Sequence, residues 1–128
     1  MLGMRTYTKK YIAACRAKVE NDISAYKKAN AKPMEVAFFN NMVIVLDHLF
    51  VHRLRTVEGK DGNPLNEVRL LADSMMNNSN KMAMDTTIKY DPSQSVLKYE
   101  AGKEIKLNEA DFVLLSKAFF AEIEKKFQ

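Results

Sequence analysis

Both histidines of the chain, His48 and His52, lie four residues apart in a segment that is otherwise largely apolar. On a helix, this spacing places two side chains on one face, where two imidazoles can bind a single metal ion. A metal site needs at least a third ligand, and the Glu-x-x-His pattern of di-iron helical bundles is absent. The two histidines are therefore only a candidate for metal binding, and the sequence predicts no cofactor.

General acid–base catalysis is a second chemistry that these residues could perform. A histidine titrates near neutral pH, and Arg55 falls beside both histidines on a helical wheel, where it could hold an anionic substrate. However, no nucleophile motif surrounds Cys15, and the spacing of Gly59 and Gly62 does not fit a phosphate-binding loop. A purely structural role is the third alternative, because buried polar side chains need hydrogen-bonding partners.

Polar residues are concentrated between residues 52 and 69, where two predicted helices are joined by a loop. Such a loop presents its side chains at one end of a helical bundle, where ligands can bind. Asp47 lies a quarter-turn from the histidines on the wheel, and Arg53 falls on the opposite side, directed to solvent or paired with a carboxylate. The predicted ligand-binding residues are His48, His52, Arg55, Glu58, Asp61, Asn66, Glu67 and Arg69.

Apolar residues at helical spacing predict three helices, over 6–30, 33–56 and 64–76, and a fourth that begins after Asn108. Pro33 and Pro64 suit the first turn of a helix, while Asn63 and Asn108 suit the N-cap position. The second predicted helix is apolar around most of its circumference. This composition indicates either the central helix of a bundle or a helix that supplies a dimer contact.

Three short segments rich in strand-forming residues, 86–90, 95–99 and 104–107, precede the last predicted helix. They predict an antiparallel ribbon of two or three strands, which must pack on the helices because it is marginally stable alone. The predicted fold is therefore mainly α, within the α+β class. It is a single domain over residues 1–128, a bundle of about four helices with a small antiparallel β-hairpin inserted before the last.

The formal charge of +4 suggests a nucleic-acid partner, because the chain has 20 Lys and Arg against 16 Asp and Glu. Residues 1–32 account for the whole excess, with 8 basic and 2 acidic residues, whereas residues 33–128 have 12 basic and 14 acidic residues. On a helical wheel these cations are spread around the exposed side of the first helix. That distribution is typical of a solvated helix more than of a phosphate-binding stripe.

Charged residues interrupt every apolar stretch before it reaches the length of about 20 residues that a membrane span needs, and none resembles a signal peptide. A single cysteine, Cys15, suits a reducing cytoplasm. We therefore expect a small cytoplasmic interaction or regulatory protein that forms a homodimer, has no membrane contact and is not an enzyme. One alternative is a protein that binds a small molecule or a metal through His48, His52 and Arg55. This alternative includes an enzyme that uses the same three residues. The other binds nucleic acid through the basic first helix.

Overall fold

The computed structural model describes residues 3–128 and consists of helices joined by irregular segments. The helices are α1 (Lys9–Ala29), α2 (Glu35–Leu49), α3 (Arg55–Glu58), α4 (Pro64–Asn77) and α5 (Glu109–Phe127). Single 3-10 turns lie at Lys32–Met34 and Pro92–Gln94. The prediction of a mainly helical protein is confirmed, and the expected caps Asn63 and Asn108 begin α4 and α5.

Helix α2 is the central element of the bundle, because it packs against α1, α4 and α5. Its buried side chains are Phe39, Met42, Val43 and Leu46. This position accounts for the apolar residues around the circumference of α2, since neighbours within the same chain cover several of its faces. The homodimer contact that was the other explanation of this pattern stays a prediction.

The predicted extension of α2 to Thr56 is wrong, because the helix ends at Leu49. The guanidinium of Arg53 folds back and donates hydrogen bonds to the carbonyl oxygens of Asp47 (3.4 Å) and Phe50 (3.1 Å). The last carbonyls of a helix lack an acceptor role within the regular helical pattern, so the Arg53 side chain stabilises the C-terminal end of α2. His48 therefore lies in the last turn of α2, whereas His52 lies in the turn that follows, and the predicted single line of histidines is not formed.

The predicted β-hairpin is also wrong, because residues 3–128 contain only isolated bridges and no strand. Side chains from the helices occupy the backbone groups that a strand partner would use. The amide nitrogen of Asn40 on α2 donates to the Ile105 carbonyl (2.9 Å), and its oxygen accepts the Leu107 N–H (3.1 Å). The segment 81–107 is thus an irregular covering of the bundle, and the fold is helical without the expected β component.

Residues 3–8 form backbone hydrogen bonds with two parts of the chain that are distant in sequence, and we call them the N-terminal strap. Met4 donates its N–H to the His52 carbonyl (2.6 Å) and accepts the N–H of Leu54 (2.9 Å), while Tyr7 donates its N–H to the carbonyl of Phe127 (2.6 Å). The strap therefore lies against both the turn after α2 and the end of α5. Within residues 3–128, no helix has the length and apolar character needed to span a membrane.

Candidate functional site

Three of the predicted site residues belong to an ionic network centred on Glu58. This carboxylate is fully buried and forms ion pairs with Arg53, Arg55 (3.0 Å) and Arg69 (2.9 Å). The Arg53 guanidinium also contacts the carboxylate of Asp47 at 2.8 Å. A buried carboxylate costs desolvation energy, which these several charged partners offset. The network links α3 to α4 and to the end of α2.

Arg53 is the most buried arginine of this network and was not among the predicted site residues. Its side chain is 0% exposed, against 26% for Arg69 and 44% for Arg55. Besides its two carboxylates it donates to the Leu65 carbonyl (3.1 Å), so its donors are directed into the protein. Of the two orientations predicted for Arg53, pairing with a carboxylate is the observed one. The sequence did not indicate that Arg53 is buried, because the helical wheel placed this residue on an extension of α2 that is not formed.

Two asparagines close the loop between α3 and α4. Asn63 accepts the N–H groups of Leu65 (2.9 Å) and Asn66 (3.1 Å) and donates to the Glu58 carbonyl. The amide of Asn66 donates to the Asp61 carbonyl (2.7 Å). Hydrogen bonding from the Asn63 amide lowers the pKa of the exposed Asp61 carboxyl. Asn66 and Asp61 thus form part of a structured turn.

Glu67 supports the irregular segment before α5. Its two carboxylate oxygens accept the N–H groups of Val96 (2.8 Å) and Leu97 (2.9 Å). Burial raises the pKa of Glu67, and the two backbone hydrogen bonds oppose this change only in part. This carboxylate takes the place of a strand partner for residues 96 and 97. Like Asn40, Glu67 uses its side chain to hold backbone groups of the segment before α5.

A polar cavity of about 400 Å³ lies beside α4 and contains three predicted site residues, His48, Arg55 and Arg69. Asp47, Asp73 and Asp85 also line this cavity, so its lining contains both acidic and basic side chains. Both arginines are already paired with Glu58. The cavity therefore offers a ligand no uncompensated cationic pair.

A larger groove, of about 680 Å³, lies between the N-terminal strap, the start of α1 and the end of α2. We call it the Tyr7–Tyr11 groove. The residues that line it are Met4, Thr6, Tyr7, Thr8, Tyr11, His48, Leu49, Val51 and His52. The two histidines thus share a groove, although they are not on the same helix.

The floor of the Tyr7–Tyr11 groove is aromatic and well supported. The Tyr7 ring stacks on Tyr11 with centroids 5.6 Å apart and meets Phe50 edge-to-face at 4.9 Å. The hydroxyl of Tyr11 donates to the Leu49 carbonyl. Burial raises the pKa of Tyr11 to about 12, so this phenol is a neutral donor at physiological pH. These contacts hold both tyrosines against the core.

Apolar side chains of the groove are open to solvent. Met4 is 46% exposed, Val51 44% and Tyr11 41%. Exposed apolar residues that gather in a concave surface are typical of binding sites. Sequence reasoning missed this groove because its two walls come from distant segments. The available signal was the pair of tyrosines four residues apart, Tyr7 just before α1 and Tyr11 in its first turn.

The described residues give little support to metal binding or to nucleic-acid binding by α1. Among residues 3–128, no group of three or more His, Cys, Asp or Glu side chains is arranged to hold a metal ion. On α1, Arg16 pairs with Glu124, Lys18 with Asp22 and Lys27 with Glu109. Half of the cations within α1 are therefore engaged inside the chain, which reduces the charge available to phosphates.

Comparisons with protein-family models, with curated proteins and with solved structures found no match to this chain. Two concave surfaces are candidates for a binding site, the polar cavity beside α4 and the Tyr7–Tyr11 groove.

Proposed function

We propose that the protein is a non-catalytic interaction module that binds a segment of a protein partner in the Tyr7–Tyr11 groove. The observation that carries this proposal is the exposure of Met4, Tyr11 and Val51 within one concave surface. Apolar side chains of a partner would displace water from these three residues, which favours association. The supported aromatic floor adds to affinity, because little conformational entropy is lost when the groove is already formed.

The ionic network supports a role without catalysis. Glu58 and Arg53 are fully buried and paired, and Asn66 and Glu67 hold backbone segments in place. Groups engaged in this way stabilise the fold, since removing one partner leaves another polar group buried and unsatisfied. Small-molecule or metal binding by His48, His52 and Arg55, and nucleic-acid binding by α1, stay predictions. The same holds for the homodimer and for the cytoplasmic location.

The proposal can be tested with an uncharged peptide and an isotope-labelled protein. The probe is a synthetic amphipathic peptide of about 15 residues, with Leu on one helical face and Gln on the other. We expect amide chemical-shift changes at Met4, Tyr11 and Val51 as the peptide is added. Absence of shifts at these residues, or shifts confined to other surfaces, would contradict the proposal.

Two matched variants locate the binding surface. Met4→Gln places a polar side chain in the groove and not in the polar cavity beside α4, and we expect it to weaken binding about fivefold or more by removing apolar contact. Leu114→Gln changes another exposed apolar residue, 56% exposed on α5 and outside the groove, and should leave affinity unchanged. Equal effects of the two substitutions would argue against the groove.

A further inference from the structure

We infer that two copies of the chain pair through α1 and α5 about a twofold axis, so that four helices form the interface. The surface is a third concave region, of about 230 Å³, between residues 16–23 of α1 and 113–124 of α5. We call it the α1–α5 groove, and every residue that lines it belongs to one of these two helices. It shares no residue with the Tyr7–Tyr11 groove, so this inference goes beyond the proposed function and does not depend on it.

The interior of the α1–α5 groove is apolar. Val19 and Phe120 are each 2% exposed, and the half-buried Ile23 and Val113 also line it. A cavity of about 150 Å³ with apolar walls is large enough to hold benzene, so this groove can accept an apolar side chain. Filling it would remove apolar surface from water, which favours association.

Helix α5 also supplies an exposed apolar side chain beside the groove. Leu114 is 56% exposed and precedes Ala121, a lining residue, by seven positions. At 100° per residue the two side chains project within about 20° of one another, which places Leu114 along the same face. Each copy of the chain therefore offers both a groove and an apolar side chain to the other.

Two charged residues on opposite walls of the groove are not paired. Glu20 on α1 and Lys117 on α5 both line it, and neither forms an ion pair within residues 3–128. In contrast, Arg16 and Glu124 also line the groove and pair with each other across the two helices. The groove thus retains one uncompensated anion and one uncompensated cation.

This charge pattern is complementary to itself. A twofold axis that passes midway between Glu20 and Lys117, normal to the surface, exchanges their positions. Glu20 of each protomer then faces Lys117 of the other, and two ion pairs flank the apolar contact. Opposite charges that meet across an interface favour this pairing over others.

The net charges of the two helices favour the same arrangement. This axis lays α1 of each protomer over α5 of the other. Helix α1 has six basic and two acidic residues, whereas α5 has three basic and four acidic residues. A basic helix therefore meets an acidic one, while contact between α1 and α1 would juxtapose like charges.

The face formed by α1 and α5 has the size that a dimer needs. These helices have 21 and 19 residues, so each is about 30 Å long and about 10 Å wide. Side by side they present about 600 Å² in projection, and the relief of the side chains increases the accessible area. Specific interfaces bury about 800 Å² from each partner.

Partners with charges of a single sign match less of this surface. Nucleic acids and anionic membranes would attract Lys117 but repel Glu20, which lies on the opposite wall of the groove. Neither partner would fill the apolar interior while also compensating both charges. A second copy of the chain does both.

Reversing the two charges tests the inference on the full chain. Sedimentation equilibrium up to about 100 µM should show a monomer–dimer equilibrium. Lys117→Glu and Glu20→Lys each place like charges across the axis, and each should weaken dimerisation about tenfold or more. An equimolar mixture of the two variants should recover the original affinity, because each variant carries the charge that the other needs. An ion pair within one chain could not produce this recovery.

A matched charge reversal serves as the control. Lys28 is exposed and lies nine residues after Val19, which places it on the opposite side of α1 at 100° per residue. Lys28→Glu should therefore leave dimerisation unchanged. Leu114→Gln should weaken it about tenfold, whereas Val36→Gln, at a 41% exposed residue of α2, should have no effect. Circular dichroism verifies that all variants are folded.

The remaining outcomes would overturn the inference. A monomer throughout the concentration range would exclude the dimer, and a mixture of the charge variants that stays monomeric would exclude the exchange of ion pairs. Dissociation by Val36→Gln but not by Leu114→Gln would assign the contact to α2. Equal effects of Lys117→Glu and Lys28→Glu would show that net charge alone governs association. None of these results changes the expected binding of a peptide in the Tyr7–Tyr11 groove, so the two proposals can fail separately.

Discussion

Arg53 and Glu58 form an ion pair in which neither side chain is exposed to solvent. The pair joins the turn after α2 to α3, and both residues make further contacts, Arg53 with the Leu65 carbonyl and Glu58 with Arg69. A buried charge without its partner is strongly unfavourable, whereas an exposed pair contributes little. The arginines that share Glu58 therefore differ in importance according to their burial.

Substitution of Arg53 by Met should lower the free energy of unfolding by about 3–5 kcal/mol, because it leaves Glu58 short of its most buried partner. Arg55→Met removes an arginine from the same carboxylate, but that side chain is well exposed, and a loss below about 1 kcal/mol is expected. Urea denaturation at neutral pH measures both. Similar losses for the two variants would show that burial does not determine the contribution of each arginine.

Asn40 should be essential to the attachment of the segment before α5. Asn40→Ala leaves the Ile105 carbonyl and the Leu107 N–H without their partner, at a cost of about 1–3 kcal/mol for each group that water cannot reach. The neighbouring Asn41 is exposed, so Asn41→Ala serves as a control with an expected change below about 0.5 kcal/mol. Amide hydrogen exchange should also accelerate at Leu107 in the Asn40 variant only. Unchanged exchange there would contradict this role.

The N-terminal strap should depend on the absence of a side chain at residue 3. A Cβ atom added to Gly3 would lie 2.9 Å from Cα of Leu54, a backbone atom that cannot rotate away. Gly3→Ala should therefore displace the strap and accelerate exchange of the Leu54 N–H, which donates to the Met4 carbonyl. Thr6→Ala, at an exposed strap position, should leave that exchange rate unchanged. Equal protection in both variants would show that the strap tolerates a Cβ there.

Helices α4 and α5 were predictable because their signals are local. Asn63 and Pro64 mark the start of α4, and Asn108 marks that of α5, each within a few residues of the apolar pattern it precedes. The end of α2 was not predictable in this way. It depends on Arg53 folding back and on Met4, far away in the sequence, pairing with His52.

The irregular segment 81–107 and the groove could not be predicted for the same reason, because both depend on contacts between residues that are distant in sequence. Strand-forming residues predicted a hairpin, but Asn40 and Glu67, on two different helices, occupy backbone groups that strand pairing needs. The predicted site residues are likewise close in sequence, but they are divided in space between the ionic network, the loop, the polar cavity, the Tyr7–Tyr11 groove and the segment that Glu67 holds. The Tyr7–Tyr11 groove joins two distant segments, and no local pattern reveals such a junction.

Glu67 should make stability depend on pH in the direction set by its burial. Its pKa in the folded protein is raised above the ordinary value of 4.5, so the native state binds more protons than the unfolded state between these two values. The contribution of Glu67 is therefore fully present below pH 4.5 and is lost as pH rises through the folded pKa. Glu67→Gln cannot titrate, so the unfolding free energy of the unmodified protein minus that of this variant should decrease over that interval.

Urea denaturation in steps from about pH 4 to about pH 7 measures this difference. Glu104→Gln, at an exposed carboxylate, controls for the general effect of removing one negative charge. A difference that increases with pH would reverse the conclusion. In that case the N–H groups of Val96 and Leu97 would stabilise the Glu67 carboxylate by more than burial destabilises it, and the charged form would be the one that supports this segment.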